Sequence, residues 1–316
     1  MKAVVIEKFG NLDQLHLKEL PKPQPLDNEV LIEIAYAGVN PVDYKICEGL
    51  LKDRLEHHMP IVLGWDASGI VAAVGANVKN LKVGQKVYAY FRKPTVQWGT
   101  YCQFAVYPAE HVVPIPSNVT LAQASIIPLS GLTAWQALFD NGKVKKGQTV
   151  LVHAGAGGVG NYAIQFAHWA GAKVYTTASA KNHEYVKRLG ADVAIDYNQE
   201  SFVDRIRKDH PEGVDFVIDG AGGETLEKSY DIIKQGGFLA SLVAVPDEAK
   251  AKAKGITAQH VFVIPNGKEL AEIAKLIEEG KVVPPEVEEM PLQDASKALA
   301  KLMQGHTRGK ITLKVK

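Results

Sequence analysis

The sequence holds only two cysteines in 316 residues, Cys47 and Cys102, and neither sits in a C-x-x-C pair. That excludes a disulfide framework and a cysteine-rich zinc or dithiol redox motif, and it points to a reducing compartment. Net charge is equally scarce: Lys+Arg 36 against Asp+Glu 35 leaves +1, without the basic excess that nucleic acid or anionic lipid demands. Long apolar runs are missing as well. The start of the chain returns to charge at Glu7 after four uncharged residues, too soon for the apolar region of a signal peptide. Residues 111–139 and 147–172 lack Asp, Glu, Lys and Arg, but Pro114, Pro116 and Pro128 interrupt the first, and six glycines with Gln148, His153, Asn161, Gln165 and His168 interrupt the second. Neither is a bilayer helix. A cytoplasmic protein with neither a membrane nor a nucleic-acid partner is expected.

What is present is an ordinary globular composition, 46% hydrophobic and 22% charged with Gly 28 and Pro 16. At roughly 150 residues per domain the length allows about two domains. The first ~120 residues read as short strands, at 3–7, 30–35, 69–74, 85–90 and 101–106, separated by turn residues such as Phe9-Gly10-Asn11 and Val83-Gly84-Gln85. Strands without long helices between them imply an antiparallel or barrel-like unit. From residue 148 strands and helices alternate, with strands expected at 149–153, 173–177, 193–197, 216–219, 238–243 and 261–264. Six is the count of a doubly wound dinucleotide fold. The remaining tail, with a helix over 267–279 and a strand over 310–315, is too short to fold alone and is expected to complete the first domain. The division is therefore 1–121 with 266–316 as a β-rich domain, and 122–265 as a nucleotide-binding domain.

The strand at 149–153 runs into Ala154-Gly155-Ala156-Gly157-Gly158-Val159-Gly160 and then a helix, so G-x-G-x-x-G appears in the setting that gives it meaning. Gly155, Gly157, Gly158, Val159 and Gly160 are expected to cradle a pyrophosphate, because a Cβ would block the approach and the helix start offers free N–H groups. An NAD site wants an acid about 20 residues further on for the ribose hydroxyls. Between Gly160 and Glu184 there is none. Instead Ser179 and Lys181 offer a hydroxyl and an ammonium suited to a 2′-phosphate, which favours NADPH, although Lys181 could equally be a solvated helix-start lysine.

Gly38-Val39-Asn40-Pro41-Val42-Asp43, Gly64-Trp65-Asp66-Ala67-Ser68-Gly69, Leu81-Lys82-Val83-Gly84, Gly131-Leu132-Thr133-Ala134-Trp135, the glycine turn and Arg308-Gly309-Lys310 occur in order along nearly the whole chain. Together they resemble the zinc-free quinone oxidoreductase and enone reductase branch of the medium-chain dehydrogenase/reductase superfamily, the zeta-crystallin-like proteins. The resemblance implies a GroES-like β-rich catalytic domain, a Rossmann domain with a six-stranded parallel sheet, and a homodimer. It also implies NADPH-dependent reduction of a quinone or an α,β-unsaturated carbonyl. Zinc-dependent relatives carry Cys where this chain resembles them at Asn40, and His-Glu where it has Trp65-Asp66. An amide and an indole cannot replace a thiolate and an imidazole, so no metal is expected.

By position, the resemblance assigns Asn40 and Lys45 to holding a developing oxyanion, with Tyr44, Lys45 or water as proton source. It assigns Asp43, Thr133, Tyr197 and Arg308 to the cofactor side. Plain capping or packing remains open for Asp43, Thr133 and Tyr197, and a solvated surface position for Lys45. A non-catalytic NADPH-binding protein, crystallin-like or sensing, stays open as the alternative function.

Overall fold

A computed structural model of the chain describes residues 1–305 and 308–316. It resolves into two compact units, one of Met1–Leu132, Ile264–Glu279 and Pro284–Lys316, the other of Thr133–Val263 and Gly280–Val283. The boundary expected at 121/122 followed the change from strand to helix patterning. Packing places it later: the Ser68 hydroxyl donates to the carbonyl of Leu121 at 2.6 Å, and Ser125 and Thr312 share a hydroxyl contact of 2.7 Å, so the short helix Leu121–Ala124 belongs with the first unit.

That first unit carries two sheets. The larger runs in the order Val287–Pro291, Lys310–Lys314, Glu29–Gly38, Asp66–Val74, Lys86–Tyr90, Val113–Pro114, with Phe104–Pro108 also paired to Glu29–Gly38. Its pairings are antiparallel except the first, which is parallel. The smaller holds His16–Glu19, Lys2–Ile6, His57–Val62 and Val96–Trp98. Glu29–Gly38 is the spine of the larger sheet because Val30, Leu31, Ile32 and Ile34 are all buried, and each such side chain contributes roughly 1.5–3 kcal/mol on leaving water. Thr312, in the tail, lies opposite Gly38.

In the second unit all six strands are parallel, in the order Val193–Ile195, Lys173–Thr177, Thr149–Val152, Val214–Asp219, Ile233–Ser241, Thr257–His260. Numbered by appearance this is 3-2-1-4-5-6, the doubly wound dinucleotide order. The central strand Thr149–Val152 is buried at every residue, without alternation, as befits a strand covered on both faces. The helix Gly158–Trp169 follows it and stops before Gly171, whose φ of +79° supplies the left-handed residue of a helix C-terminus.

The sixth strand is Thr257–His260 rather than 261–264. Apolar, β-branched 261–264 has the stronger strand propensity, but the backbone pairing goes to the polar run before it, Phe238 facing Thr257 and Ser241 facing His260. Val261 and Val263 are then buried while Phe262 and Ile264 stay exposed. Among the described residues no helix is long and apolar enough to cross a membrane.

Candidate active site

In the first unit, the residue after Val39 starts a helix. Asn40 precedes Pro41–Cys47, with a proline at the first helical position, and its backbone N–H donates to Asp43 Oδ2 at 2.8 Å, one half of a capping box. The Tyr101 hydroxyl donates to the same oxygen at 2.9 Å. The Asn40 amide is engaged at both ends: Oδ1 accepts from Lys310 Nζ at 2.5 Å, and Nδ2 donates to Asp66 Oδ2 at 2.9 Å. Asp66 Oδ1 accepts the backbone N–H of Leu129 at 2.8 Å, and Lys310 also reaches the carbonyl of Val39 at 3.3 Å. All five residues are buried.

Two carboxylates and one ammonium are thus buried close together. Burial pushes the Asp43 carboxyl up to about 7 and that of Asp66 up to about 6, and it pushes the Lys310 ammonium down. One acid is surplus to the single cation. Asp43 has an oxygen, Oδ1, with no hydrogen-bond partner, so it is the acid with least holding its ionised form.

The other expected residues are placed around this cluster or outside it. Tyr44 and Lys45 are half-buried on the helix Pro41–Cys47, and the Lys45 ammonium has no hydrogen bond or ion pair among the described residues. Burial and the nearby Glu48 raise the Tyr44 hydroxyl. Trp65 is buried edge-on against Tyr90, ring centroids 6.1 Å apart. Arg308 pairs with Glu286. Leu51, Lys52, Leu55 and His57 line a hollow with Phe9 and Ile46. Sequence reasoning quoted Asp66 and Lys310 as motif residues without giving them a role, and it passed over Tyr101. Only an unlikely pairing across 270 residues, a buried lysine with Asn40, reveals them.

In the second unit the glycine turn has the shape its motif implies. A Cβ at Gly155 would stand 2.0 Å from Thr176 Oγ1, and one at Gly160 would stand 2.4 Å from the carbonyl oxygen of Ala154, so both are glycines for internal packing. Gly157 differs. Only the Ala154 carbonyl oxygen, at 3.3 Å, lies near its Cβ position, which leaves open space that a side chain would fill. The N–H groups of Ala156, Gly158 and Val159, at the start of the helix Gly158–Trp169, have no partner among the described residues. An anionic diphosphate fits this cradle.

Beyond the second strand, Ser179 accepts from Asn182 Nδ2 at 3.2 Å and keeps its own proton to donate, while Lys181 is exposed on the turn Ala180–Asn182. Tyr197, expected to end the third strand, lies two residues past its end at Ile195 and is exposed. Thr133 is buried inside the helix Pro128–Trp135, in its second turn rather than at its cap.

Residues 26–117 match the family described as alcohol dehydrogenase GroES-like domain, and residues 189–313 the family described as zinc-binding dehydrogenase. The chloroplast envelope quinone oxidoreductase homolog of Arabidopsis thaliana is 33% identical over 313 residues, covering 96% of this chain and 94% of that one. The chain belongs to the medium-chain dehydrogenase/reductase superfamily. Within that superfamily, the chloroplastic NADPH-dependent alkenal/one oxidoreductase of Arabidopsis thaliana is also 33% identical, covering 99% of this chain and 79% of that one. Among solved structures, the quinone oxidoreductase from Coxiella burnetii shares 35% identity with a TM-score of 0.89, covering 100% of this chain and 99% of that one. The Escherichia coli quinone oxidoreductase complexed with NADPH shares 28% identity at a TM-score of 0.89, each chain covered fully. Among the described residues no group of three or more His, Cys, Asp or Glu could hold a metal ion.

The buried acids make a pH prediction. Asp43 has its folded pKa above its ordinary value of 3.8, so its proton favours the folded state; that contribution is complete below about 4 and is lost as pH rises through about 7. The limiting slope for one proton is about 1.4 kcal/mol per pH unit. The melting temperature should fall between pH 6 and pH 8, and Asp43→Asn should flatten that fall. A melting temperature that rises over this range, or an identical slope in the variant, would show that Asp43 stays ionised.

Proposed function

We propose that this chain is an NADPH-dependent oxidoreductase that reduces quinones or α,β-unsaturated carbonyls without zinc. The observation that carries the reading is the Asn40 amide held between Lys310 and Asp66: the residue in a metal-ligand position is committed to a buried hydrogen-bond network, beside an indole rather than an imidazole. A donor set of this kind offers no thiolate or imidazole to a zinc ion. With no Lewis acid to lower the pKa of an alcohol, the favoured chemistry is reduction of a carbon that is already electrophilic. The names of the quinone and alkenal/one reductase relatives support the same substrate classes.

The cofactor half of the reading rests on the open space over Gly157, the unpaired N–H groups of the turn and the absence of an acid before Glu184. Gly155, Gly157, Gly158, Val159 and Gly160 would take the pyrophosphate, with Ser179 and Lys181 taking the 2′-phosphate and Tyr197 packing near the adenine. Thr133 and Arg308 would serve as further cofactor contacts, and Asp43 would hold the Asn40 loop. Bound there, NADPH supplies a hydride. Lys45 would polarise the carbonyl oxygen and hold the negative charge that develops on it, and Tyr44 or water would deliver the proton. Asn40, with one amide N–H still uncommitted, would be a second donor to that oxygen. We place the protein in a reducing, cytoplasmic setting on its two buried free cysteines.

Assembly follows from the second unit. Thr257–His260 is an edge strand of the parallel sheet, and exposed Phe262 and Ile264 extend from it, a combination that favours pairing with a second copy about a two-fold axis. Light scattering at micromolar concentration should give twice the chain mass; a monomer there would remove the dimer from the account.

Two kinetic experiments bear on the rest. NADPH oxidation should proceed with a quinone panel, an enone panel or both, and far more slowly with NADH, with Lys181→Ala narrowing the difference between the two cofactors. Tight NADPH binding with no oxidation by either panel would support a non-catalytic protein instead. For enones, Lys45→Ala should lower kcat and kcat/KM together by about tenfold or more, because the interaction forms in the transition state. Quinones, being more electrophilic, should feel it less. Unchanged kinetics with both acceptor classes would leave Lys45 as surface charge.

A further inference from the structure

His153 ends the first strand of the parallel sheet and enters no step above. It is buried, sealed by an edge-on contact with Phe202 at 4.6 Å between ring centroids, and both ring nitrogens have partners. Nε2 lies 3.0 Å from Ser229 Oγ, and Nδ1 lies 3.1 Å from Thr177 Oγ1.

The direction of every proton in this chain can be assigned. The Ser229 hydroxyl spends its only hydrogen on the carbonyl of Thr225 at 2.7 Å, so toward His153 it can only accept. Nε2 must therefore carry the hydrogen, which leaves Nδ1 as a bare acceptor. Thr177 fills that need by donating its hydroxyl hydrogen to Nδ1. Its oxygen is then turned, lone pair outward, to the backbone N–H of Ala154 at 3.2 Å.

Ala154 is the first residue of the glycine turn and has φ +56°, in the left-handed region where a residue with a Cβ is disfavoured by roughly 1–2 kcal/mol. Two bonds to one residue hold it there: its own N–H to the Thr177 hydroxyl, and the N–H of Gly155 to the Thr177 carbonyl at 3.1 Å. With the hydrogen on Nδ1 instead, the Thr177 oxygen would have to accept from the ring and from Ala154 together, and its own hydrogen would lose the ring nitrogen as its acceptor. The polarity set by His153 thus fixes the rotor of the hydroxyl that accepts from Ala154.

We propose that His153 is a positioning residue for the dinucleotide: by fixing the Thr177 hydroxyl, it holds Ala154 in the left-handed conformation that aims the glycine turn at the pyrophosphate. The proposal rests on the cofactor reading above and extends it. It also gives Thr177, at the end of the second strand, an internal task, so that recognition of the adenosine ribose falls to Ser179 and Lys181. Burial pushes the imidazole down to about 3, which keeps the ring neutral and this polarity intact across the physiological range.

Two conservative variants separate the positioning role from simple packing. In His153→Asn the amide oxygen stands where Nδ1 was and still accepts from Thr177; in His153→Gln the longer side chain reaches Ser229 and gives up the short-range acceptor. NADPH titration by fluorescence should show the Asn variant within about threefold of the native dissociation constant and the Gln variant weaker by about tenfold, the scale of one lost hydrogen bond. KM for NADPH should rise with kcat at saturation unchanged.

A second pair guards against poor folding of either: Thr177→Ser should keep the affinity and Thr177→Val should lose about as much as His153→Gln, with the double variant His153→Gln, Thr177→Val no worse than either alone. Equal effects of the Asn and Gln variants, or additive losses in the double, would overturn the positioning role while leaving the cofactor reading in place. A native protein that binds neither NADPH nor NADH would remove both.

Discussion

A lysine ammonium buried beside an asparagine amide has to be compensated inside the protein, and the first unit is organised around that requirement. Stripping an ion of water costs several kcal/mol after relaxation, so Lys310 is tolerable only where the Asn40 amide oxygen and the carbonyl of Val39 accept from it and the charge of Asp66, bonded to the other end of Asn40, stands nearby. Asp66 and Lys310 begin two strands that flank Glu29–Gly38, and Val39 and Asn40 follow directly on its end, with Gly38 opposite both Asp66 and Thr312. A slip of one residue in either pairing would turn Lys310 or Asp66 to the other face of the sheet and leave an uncompensated charge. The network therefore does two things at once: it locks the returning tail in register, and it commits Asn40 to a fixed orientation.

The second unit solves a different problem with the same means. Its glycine turn must present free N–H groups to an anion while its first residue sits in a conformation that alanine resists. A one-directional chain of hydrogen bonds, from Ala154 through Thr177, His153 and Ser229 to the carbonyl of Thr225, holds it. In both units a buried polar network stabilises one geometry against its alternatives.

Much of this was legible along the chain because it is local. The glycine turn, the central strand and the second strand at Lys173–Thr177 lie where patterning puts them, since a strand covered on both faces needs an unbroken apolar run and a phosphate turn needs glycines. The sixth strand was misplaced because an edge strand can be polar while the apolar run beside it serves another surface. Asn40 stands out in the sequence by its motif, but its partners do not: Lys310 and Asp66 meet it only through the pairing of distant strands, and no local period encodes that. His153 was hidden for the same reason, its partners lying on two other elements, Thr177 at a strand end and Ser229 at a helix end. The helix Pro41–Cys47 was not expected, and which of its side chains have no partner among the described residues, Lys45 among them, depends on what packs against it.

The central claim is reduction without metal, supported by an amide and an indole, Asn40 and Trp65, at the positions where the resemblance gives zinc-dependent relatives their ligands, and by the commitment of that amide to Lys310 and Asp66. The most direct test measures NADPH-dependent turnover of an enone or quinone before and after exhaustive chelation, with zinc per chain determined by elemental analysis on the same samples. The account predicts unchanged turnover with zinc far below one ion per chain. Turnover that disappears on chelation and returns on adding zinc would contradict it.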